Sequence, residues 1–351
     1  MPTLLKNQGA KSRNPQILQG NESNVYINKN EYFFYSNNPE ALYSQHMADN
    51  GKYLNCATVS GNGQIYTWHS NQTGQSIKNC ILIYNPNSYA VQVKVTNYGL
   101  TDDATQTHSD ADAWESYYNG QNTSVTVAAG GFANLFLRTI GNNHHFGIVA
   151  RANIVRSGTS TSASVTLYDL AYFTNSGSAN SFATAEPLSK KRARGKGAGF
   201  YTTIQFPQLS PTNTDGVGYT IASKYVAAVP DTYNDSFNGV DCSYITDPSG
   251  STTGYLQGAF GQQFQITIPI KNTTGVARKF RIIIGSRGGK AFPFVNYNGG
   301  FAKYDPAIDK MTYVDVIETD TIPNNGMTTI TFSTLVTAMS NSPYFIGVRT
   351  I

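Results

Sequence analysis

Apolar and polar residues alternate along several short stretches of this chain. Val91, Val93 and Val95 fall on one face of an extended segment, and the polar residues between them fall on the other. Residues 263–270 and 280–284 repeat this alternation, which is typical of half-buried antiparallel strands. On this basis strands are predicted at residues 77–83, 90–98, 124–127, 134–137, 146–154, 163–168, 200–206, 217–229, 263–270, 280–284, 311–318, 327–332 and 344–350.

Turn-forming residues lie between these strands. Asn-Pro-Asn-Ser at 85–88, the glycine pair at 130–131 and Asn-Thr-Thr-Gly at 272–275 each separate two predicted strands. Each is therefore expected to close an antiparallel hairpin. Residues 323–326, Pro-Asn-Asn-Gly, predict a further turn.

One short helix is predicted. Asp112 and Glu115 have the spacing of a capping box, in which two side chains satisfy the free N–H groups at a helix start. Trp114 and Tyr117 follow, and Gly120 ends the segment.

The amino-acid composition favours strands over helices along the whole chain. Only 13% of the residues are charged, whereas the chain holds 32 Gly and 23 Tyr. Helices need Ala, Leu, Glu and Lys on their outer faces, so a helical bundle or coiled coil is excluded. The fold class predicted is all-β, with two antiparallel domains of the β-sandwich or jelly-roll type.

The length of 351 residues exceeds that of one typical domain. Residues 1–24 are expected to be a flexible, polar and basic arm, and residues 25–175 an amino-terminal β-sandwich. Residues 176–199 are expected to form a linker loop rich in Gly, Ser and basic residues, and residues 200–351 a carboxy-terminal β-sandwich.

The positive charge is concentrated in two segments, the amino terminus and one internal cluster. The cluster is expected to be a polyanion-binding or protease-sensitive loop, or else a solvated loop between domains. The rest of the chain is slightly acidic, which argues against a nucleic-acid-binding surface. The residues of the cluster are Lys190, Lys191, Arg192, Arg194 and Lys196.

Two groups of residues are candidates for chemistry. His108, Asp110, Asp112 and Glu115 carry the groups that bind divalent cations, but two of them are already assigned to helix capping, so no metal site is predicted.

The second group is Trp68, His69 and Asn71, which could contact a sugar beside an aromatic platform. The alternative is a conformational role, with the imidazole bonded to a nearby backbone or amide group. Since no set of acid, base and nucleophile is visible, we expect no enzymatic activity and no cofactor.

Cys56, Cys80 and Cys242 give an odd count without CxxC spacing. We expect free thiols, with a Cys56–Cys80 pairing as the alternative. The chain shows no signal peptide and no apolar run long enough for a membrane span. It is therefore expected to be made in the cytoplasm, with no membrane partner.

Two longer stretches, residues 33–95 and 261–289, resemble a β-rich domain of secreted and surface proteins of spore-forming Gram-positive bacteria. In that family a strand runs into an aromatic and His-Asn segment, matched here by Tyr66, Trp68, His69 and Asn71. A late hairpin ends in an Arg-Gly-Gly turn, matched by residues 287–289. Glycine is expected to supply positive φ in that turn. The family domain often accompanies stalk modules similar to the amino-terminal domain of copper amine oxidases, and the resemblance implies a surface role without a known activity.

Three function classes follow. The first is a non-enzymatic structural protein that assembles with copies of itself, as a spore-surface layer, filament or crystal-like subunit, deposited on the spore or cell surface or in an inclusion after cell lysis. The second is a module that binds cell-wall or spore-surface polysaccharide. The third is a double jelly-roll virion protein.

Overall fold

The computed structural model describes residues 1–182, 186–187, 194–222, 236–246, 248, 253–256 and 258–351. Strand accounts for 52% of the structure and helix for 7%. The predicted all-β, sandwich-like class is confirmed. The chain divides into two compact units, each described below by itself.

The first unit comprises Lys29–Phe200 and Tyr244–Gly254. Its main chain forms one α-helix and the strands that follow: β5 (Tyr32–Ser36), β6 (Ala41–Leu42), β7 (Lys52–Tyr53), β8 (Asn55–Asn71), β9 (Ile77–Tyr84), β10 (Val91–Asp103), α1 (Ala111–Tyr118), β11 (Thr123–Val127), β12 (Phe132–Ile140), β13 (His145–Arg156), β14 (Ser164–Phe173), β15 (Glu186–Pro187), β16 (Arg194–Ala198), β19 (Tyr244–Thr246) and β20 (Thr253–Tyr255).

The second unit comprises Met1–Asn28, Tyr201–Ser243 and Tyr255–Ile351. Its strands are β1 (Thr3–Leu4), β2 (Lys11–Ser12), β3 (Gln16–Ile17), β4 (Val25–Ile27), β17 (Tyr201–Gln205), β18 (Val217–Ile221), β21 (Gln263–Lys271), β22 (Phe280–Ser286), β23 (Phe294–Tyr297), β24 (Gly300–Lys303), β25 (Thr312–Glu318), β26 (Met327–Leu335) and β27 (Tyr344–Thr350). Short 3-10 turns lie at Glu22–Asn24 in this unit and at Ser44–His46, Ala48–Asn50 and Ala179–Phe182 in the first.

In the first unit two sheets share the long strand β8. Residues 61–70 of β8 lie in a sheet of order β11-β10-β13-β8-β5-β16-β19-β20. Residues 55–60 pair with β14, which continues through β9 to β12. The inward faces of the two sheets enclose an apolar core that includes Phe34, Ile65, Val93 and Ile148. Burial of this apolar surface is the main force that holds the unit together.

In the second unit the two sheets have the orders β24-β23-β26-β21-β17-β4 and β1-β25-β22-β27-β18-β3, with β2 also paired to β25. Their core includes Phe264, Ile266, Ile282 and Ile346. The apolar residues of the alternating stretches 263–270 and 280–284 therefore face the core, one stretch from each sheet.

The two units repeat one strand order. In the first unit β11-β10-β13-β8-β5 matches β24-β23-β26-β21-β17 in the second, and the last pair of each series is parallel. In the opposite sheets β14-β9-β12 matches β27-β22-β25. The same sandwich topology thus occurs twice in the chain.

The predicted hairpins are wrong. The strands that flank residues 85–88, 130–131 and 272–275 do not pair with each other, and each pair is divided between two sheets. Alternation marks which face of a strand is buried, but it does not identify the neighbouring strand. In a sandwich the same turn residues can carry the chain from one sheet to the facing one.

Residues 1–24 do not form the flexible arm that the sequence predicted. Thr3 and Leu4 pair with β25 at one margin of the seven-stranded sheet, and Ile17 lies in a strand that pairs with β18 at the other margin. Ile17 also packs against the buried side chains of Tyr313 and Phe345. Edge pairing and apolar contact give this polar segment an ordered place in the second unit.

The predicted helix is present as α1, but its start differs. Asp110 is the N-cap residue, so Asp112 lies inside the first turn rather than at the cap. Trp114 and Tyr117 are buried, and Gly99 of β10 lies so close to the helix that a Cβ there would be 1.8 Å from the Ala113 carbonyl oxygen. Only glycine fits this contact. Within the described residues no helix is long and apolar enough to cross a membrane.

Candidate functional site

Strand β8 carries all three residues that the sequence proposed for binding. Trp68 lies on the face toward α1, whereas His69 and Asn71 point toward the opposite sheet. Trp68 is 2% exposed and the other two are fully buried. An exposed aromatic platform is therefore not formed by these residues.

His69 is held by three partners, of which Asp169 and Ser36 are fully buried. Its Nδ1 atom lies 2.7 Å from the Pro39 carbonyl oxygen. Its Nε2 atom lies 3.0 Å from Oδ2 of Asp169 and 3.3 Å from Oγ of Ser36. Because a carbonyl oxygen can only accept, Nδ1 carries a hydrogen atom.

This cluster does not have the geometry of a hydrolytic triad. In a Ser-His-Asp triad the carboxylate binds Nδ1 and the serine binds Nε2, so that the carboxylate orients the ring while the serine reacts. Here Asp169 and Ser36 share Nε2, and all three side chains are inaccessible to solvent. The arrangement fixes β5, β8 and β14 to one another, and a conformational role of His69 fits it.

Asp169 and Ser36 were missed at the sequence level. Asp169 interrupts the apolar strand β14, and a lone carboxylate at such a position signals a buried polar partner. Asn79 donates to its Oδ1 atom at 3.1 Å. His69 and Asp169 are 100 residues apart in sequence, so their pairing could not be inferred from spacing.

The Trp68 side chain has buried polar neighbours with unused hydrogen-bonding capacity. The indole N–H of Trp68, Oδ1 of Asn37 and Nδ1 of His145 have no hydrogen-bond partner among the described residues. The rings of Trp68 and His145 meet edge to face, with centroids 5.7 Å apart. Residues 37–40 loop out between two parallel pairings with β8, and the Asn37 amide donates to the Tyr35 hydroxyl at 3.3 Å. A hydroxyl group or a water molecule could satisfy these atoms.

Asn71 holds the turn that follows β8. Its Nδ2 atom donates to the carbonyl groups of Gln75 and Gly141, both at 2.8 Å. Its Oδ1 atom accepts from the N–H and the hydroxyl of Thr73.

The second unit contains the same turn at Asn272. Its Nδ2 atom donates to Val276 and Ile322, and its Oδ1 atom accepts from the N–H and hydroxyl of Thr274. In both turns the following glycine donates its N–H to a neighbouring asparagine, Asn142 or Asn324. The shared Asn-x-Thr-Gly sequence could have revealed this repeat.

The four candidate metal ligands do not gather around one point. Oδ2 of Asp110 accepts from the Tyr66 hydroxyl at 2.9 Å and from the Trp114 indole N–H at 3.0 Å. Asp112 and His108 are exposed. In the part of the chain that the structure describes, no three His, Cys, Asp or Glu side chains are placed to hold a metal ion.

A neighbouring carboxylate, Asp103, orders the loop before α1. Burial raises its pKa, but the hydrogen bonds that it accepts from Thr105, Thr107 and His108 outweigh this effect and lower the pKa to about 2. A carboxylate that accepts several N–H bonds is stabilised in its charged form.

The basic cluster lies partly outside the described residues. Lys190, Lys191 and Arg192 are not described. Arg194 is 1% exposed, lies in β16 and donates to the Leu54 carbonyl at 3.0 Å. Lys196 is exposed in the same strand. The expectation of a solvated loop is wrong for Arg194, since a buried guanidinium bonded to the backbone is part of the sheet.

Charged residues also cluster in the second unit. Arg281 and Arg349 both bind Asp315, at 2.9 and 2.6 Å, and Arg281 also binds Glu318. Burial raises the pKa of Asp315, but the two guanidinium groups outweigh it, and the net shift is downward. Arg13 joins this cluster at 3.9 Å and donates to the Thr214 carbonyl, which ties the amino-terminal segment to the sheet.

The three cysteines are buried or half-buried in the structure. The three thiols are free, and burial raises the pKa of Cys56 to about 11 and that of Cys80 to about 12, so neither is a reactive thiolate at neutral pH.

At the Arg-Gly-Gly turn neither glycine has positive φ. A Cβ at Gly288 would instead lie 1.8 Å from the Ser342 carbonyl, so close approach requires glycine there. A cleft of about 100 Å³ at residues 208–213 is smaller than typical ligand pockets.

No family model and no curated protein matches the chain. Among solved structures it is similar to the PBSX exported protein XepA, with 8% identity over 84% of this chain and 85% of that one and a TM-score of 0.17. It is also similar to the CBM22-1-CBM22-2 tandem domain of Xyn10C from Paenibacillus barcinonensis, with 7% identity, coverage of 85% and 94%, and a TM-score of 0.16. The CUB1-EGF-CUB2 domain of human MASP-1/3 gives 9% identity, coverage of 84% and 99%, and a TM-score of 0.17. Similarities at this level support no conclusion about function.

Proposed function

We propose that this protein is a non-enzymatic structural protein that assembles with copies of itself. The observation that carries the proposal is a long uncharged stretch at the margin of both sheets of the first unit. Between Glu115 and Arg138 the sequence contains no charged residue and no proline, and this stretch forms β11 and residues 132–137 of β12. Proteins usually guard marginal strands with charge, proline or a covering segment.

The corresponding stretch of the second unit differs, because it contains charged residues and is covered by other strands. From β24 to the end of β25 it carries one proline, Pro306, and six charged residues: Lys303, Asp305, Asp309, Lys310, Asp315 and Glu318. β25 is also covered by β1 and β2. Among the described residues, one copy of the fold is thus guarded at this margin by charge and added strands, and the other is not.

The contacts of His69 and Asp110 fit the same proposal. Both were candidates for chemistry, and both are used to join elements of the first unit. Deposition on a spore or cell surface, which the family resemblance implies, is part of the proposal.

Negative-stain microscopy of the purified chain at rising concentration tests the proposed function. We expect ordered dimers, fibres or sheets that grow with concentration. Isolated particles of monomer size at every concentration would contradict it.

A further inference from the structure

Phe132 and Tyr313 occupy matching positions in the two units. Tyr84 and Gly285, their partners on the neighbouring strands, each lie 13 residues after the turn asparagine of their unit. Tyr313 is 1% exposed, whereas Phe132 is 36% exposed. The same point of the fold is therefore covered in one unit and open in the other.

In the second unit Phe345 and Ile17 cover Tyr313 on the face of the sheet, and the edge of β25 beside it is occupied by further strands of the chain. Lys11 pairs with Tyr313 on the side of β25 that faces away from β22, and Leu4 pairs with Ile317 further along. Among the described residues of the first unit, β12 pairs with β9 alone. In the part of the first unit that the structure describes, no strand occupies the position that β1 and β2 take in the second unit.

The backbone of β12 can accept such a strand. The Asn85 N–H donates to the Gly131 carbonyl, and hydrogen-bonded pairs alternate along antiparallel strands. Phe132 and Asn134, opposite Tyr84 and Leu82, are therefore the residues whose N–H and C=O groups point away from β9. These groups form the start of a hydrogen-bonding edge.

Apolar side chains accompany this edge. Phe132 stacks on Tyr84 with ring centroids 4.8 Å apart, and Leu137 is 48% exposed. Burial of these side chains against a partner would add hydrophobic free energy to the backbone hydrogen bonds.

Three features favour a second copy of this chain as the partner. Residues 132–137 of β12 carry no charge, so two identical copies of this part of the edge can meet without electrostatic repulsion. An antiparallel strand pair contains a two-fold axis, so one strand can pair with its own copy and close the contact. The chain also already pairs β25, the counterpart of β12, with its own segments.

We infer that two copies of this protein associate through β12, pairing antiparallel about a two-fold axis so that the β14-β9-β12 sheet continues into the partner. This inference rests on the proposed function and assigns the contact that begins assembly.

Two measurements test it. Amide hydrogen exchange should show Phe132 and Asn134 exchanging freely in dilute protein and becoming protected as the concentration rises. Sedimentation velocity should show that Phe132→Lys and Asn134→Lys each weaken association by more than about tenfold, because two like charges are then brought close together on the facing strands. Thr126→Lys, an exposed residue of β11, is the matched control and should associate like the wild type.

The outcomes separate the two proposals. A wild-type chain that is monomeric at every concentration contradicts the proposed function itself. Assembly that persists in both β12 variants, or assembly without protection of the Phe132 and Asn134 amides, overturns the β12 contact and leaves the proposed function standing. Equal loss of association in Thr126→Lys also overturns the assignment to β12, and circular dichroism checks that each variant is folded.

Discussion

Asn71 and Asn272 make the same hydrogen bonds in the two units. Each side chain accepts from the N–H and hydroxyl of the threonine two residues later, and each donates to a carbonyl four residues later. Both side chains are fully buried, and each also donates to a buried carbonyl group, that of Ile140 for Asn71 and that of Ile322 for Asn272.

Replacement of either asparagine should destabilise its own unit. Asn71→Ala and Asn272→Ala each leave buried carbonyl groups without a donor, which costs about 1–3 kcal/mol. Urea unfolding followed by fluorescence measures the loss. Asn122→Ala, at an exposed turn, is the control and should change stability by less than about 0.5 kcal/mol. If Asn122→Ala lowered the free energy of unfolding as much as the other two variants do, the claim that the buried asparagines stabilise the turns would be contradicted.

Asp169 is the central acceptor of the buried cluster in the first unit. Asp169→Ala should destabilise the protein by about 3 kcal/mol, because His69 and Asn79 lose a buried partner. Asp112→Ala, an exposed carboxylate in α1, should have little effect. Thermal unfolding of the two variants provides the comparison, and similar midpoints would contradict the account of this cluster.

Asp103 should make the loop before α1 sensitive to acid. Its folded pKa of about 2 is below the unfolded value of about 3.9, so its contribution is present above about pH 4 and is lost as the pH falls toward 2. Asp103→Asn should lower stability at neutral pH and reduce the acid dependence between those values. Melting temperatures measured from pH 7 to pH 2 test this; parallel curves for the variant and the wild type would refute it.

Residues 1–24 should stabilise the second unit alone. Their deletion removes the partners of β25 at Tyr313 and Ile317 and the contact of Ile17 with Phe345. Hydrogen exchange measured by mass spectrometry should then be faster in peptides from β25 and β18. Peptides from β10 and β13 in the first unit serve as the internal control. Unchanged exchange in β25 would mean that the segment adds no stability.

The strand positions could be predicted from the sequence, but their partners could not. Residues 263–270 and 280–284 were correctly identified as strands because burial on one face imposes a period of two. The turn at Asn272 was interpreted as a hairpin, since its composition suits either a hairpin or a crossing between sheets. What distinguishes the two is the pairing with β26 and β25, which lie far along the chain.

The buried cluster was predictable only in part. His69 was expected either at a sugar-contacting surface or in a bond to nearby backbone, and its contact with Pro39 agrees with the second. Asp169 is brought to it by the pairing of β14 with β8, which no local pattern encodes. The order of residues 1–24 also depends on long-range pairing and was therefore missed.

The most direct test of self-assembly is the mass of the full-length chain in solution, measured by static light scattering over a wide range of concentration. The account predicts a weight-average mass that starts near the monomer value of 38.2 kDa and rises with concentration. It predicts that Thr126→Lys follows the same curve and that Phe132→Lys stays near the monomer value. A wild-type mass that remains at 38.2 kDa throughout would contradict it.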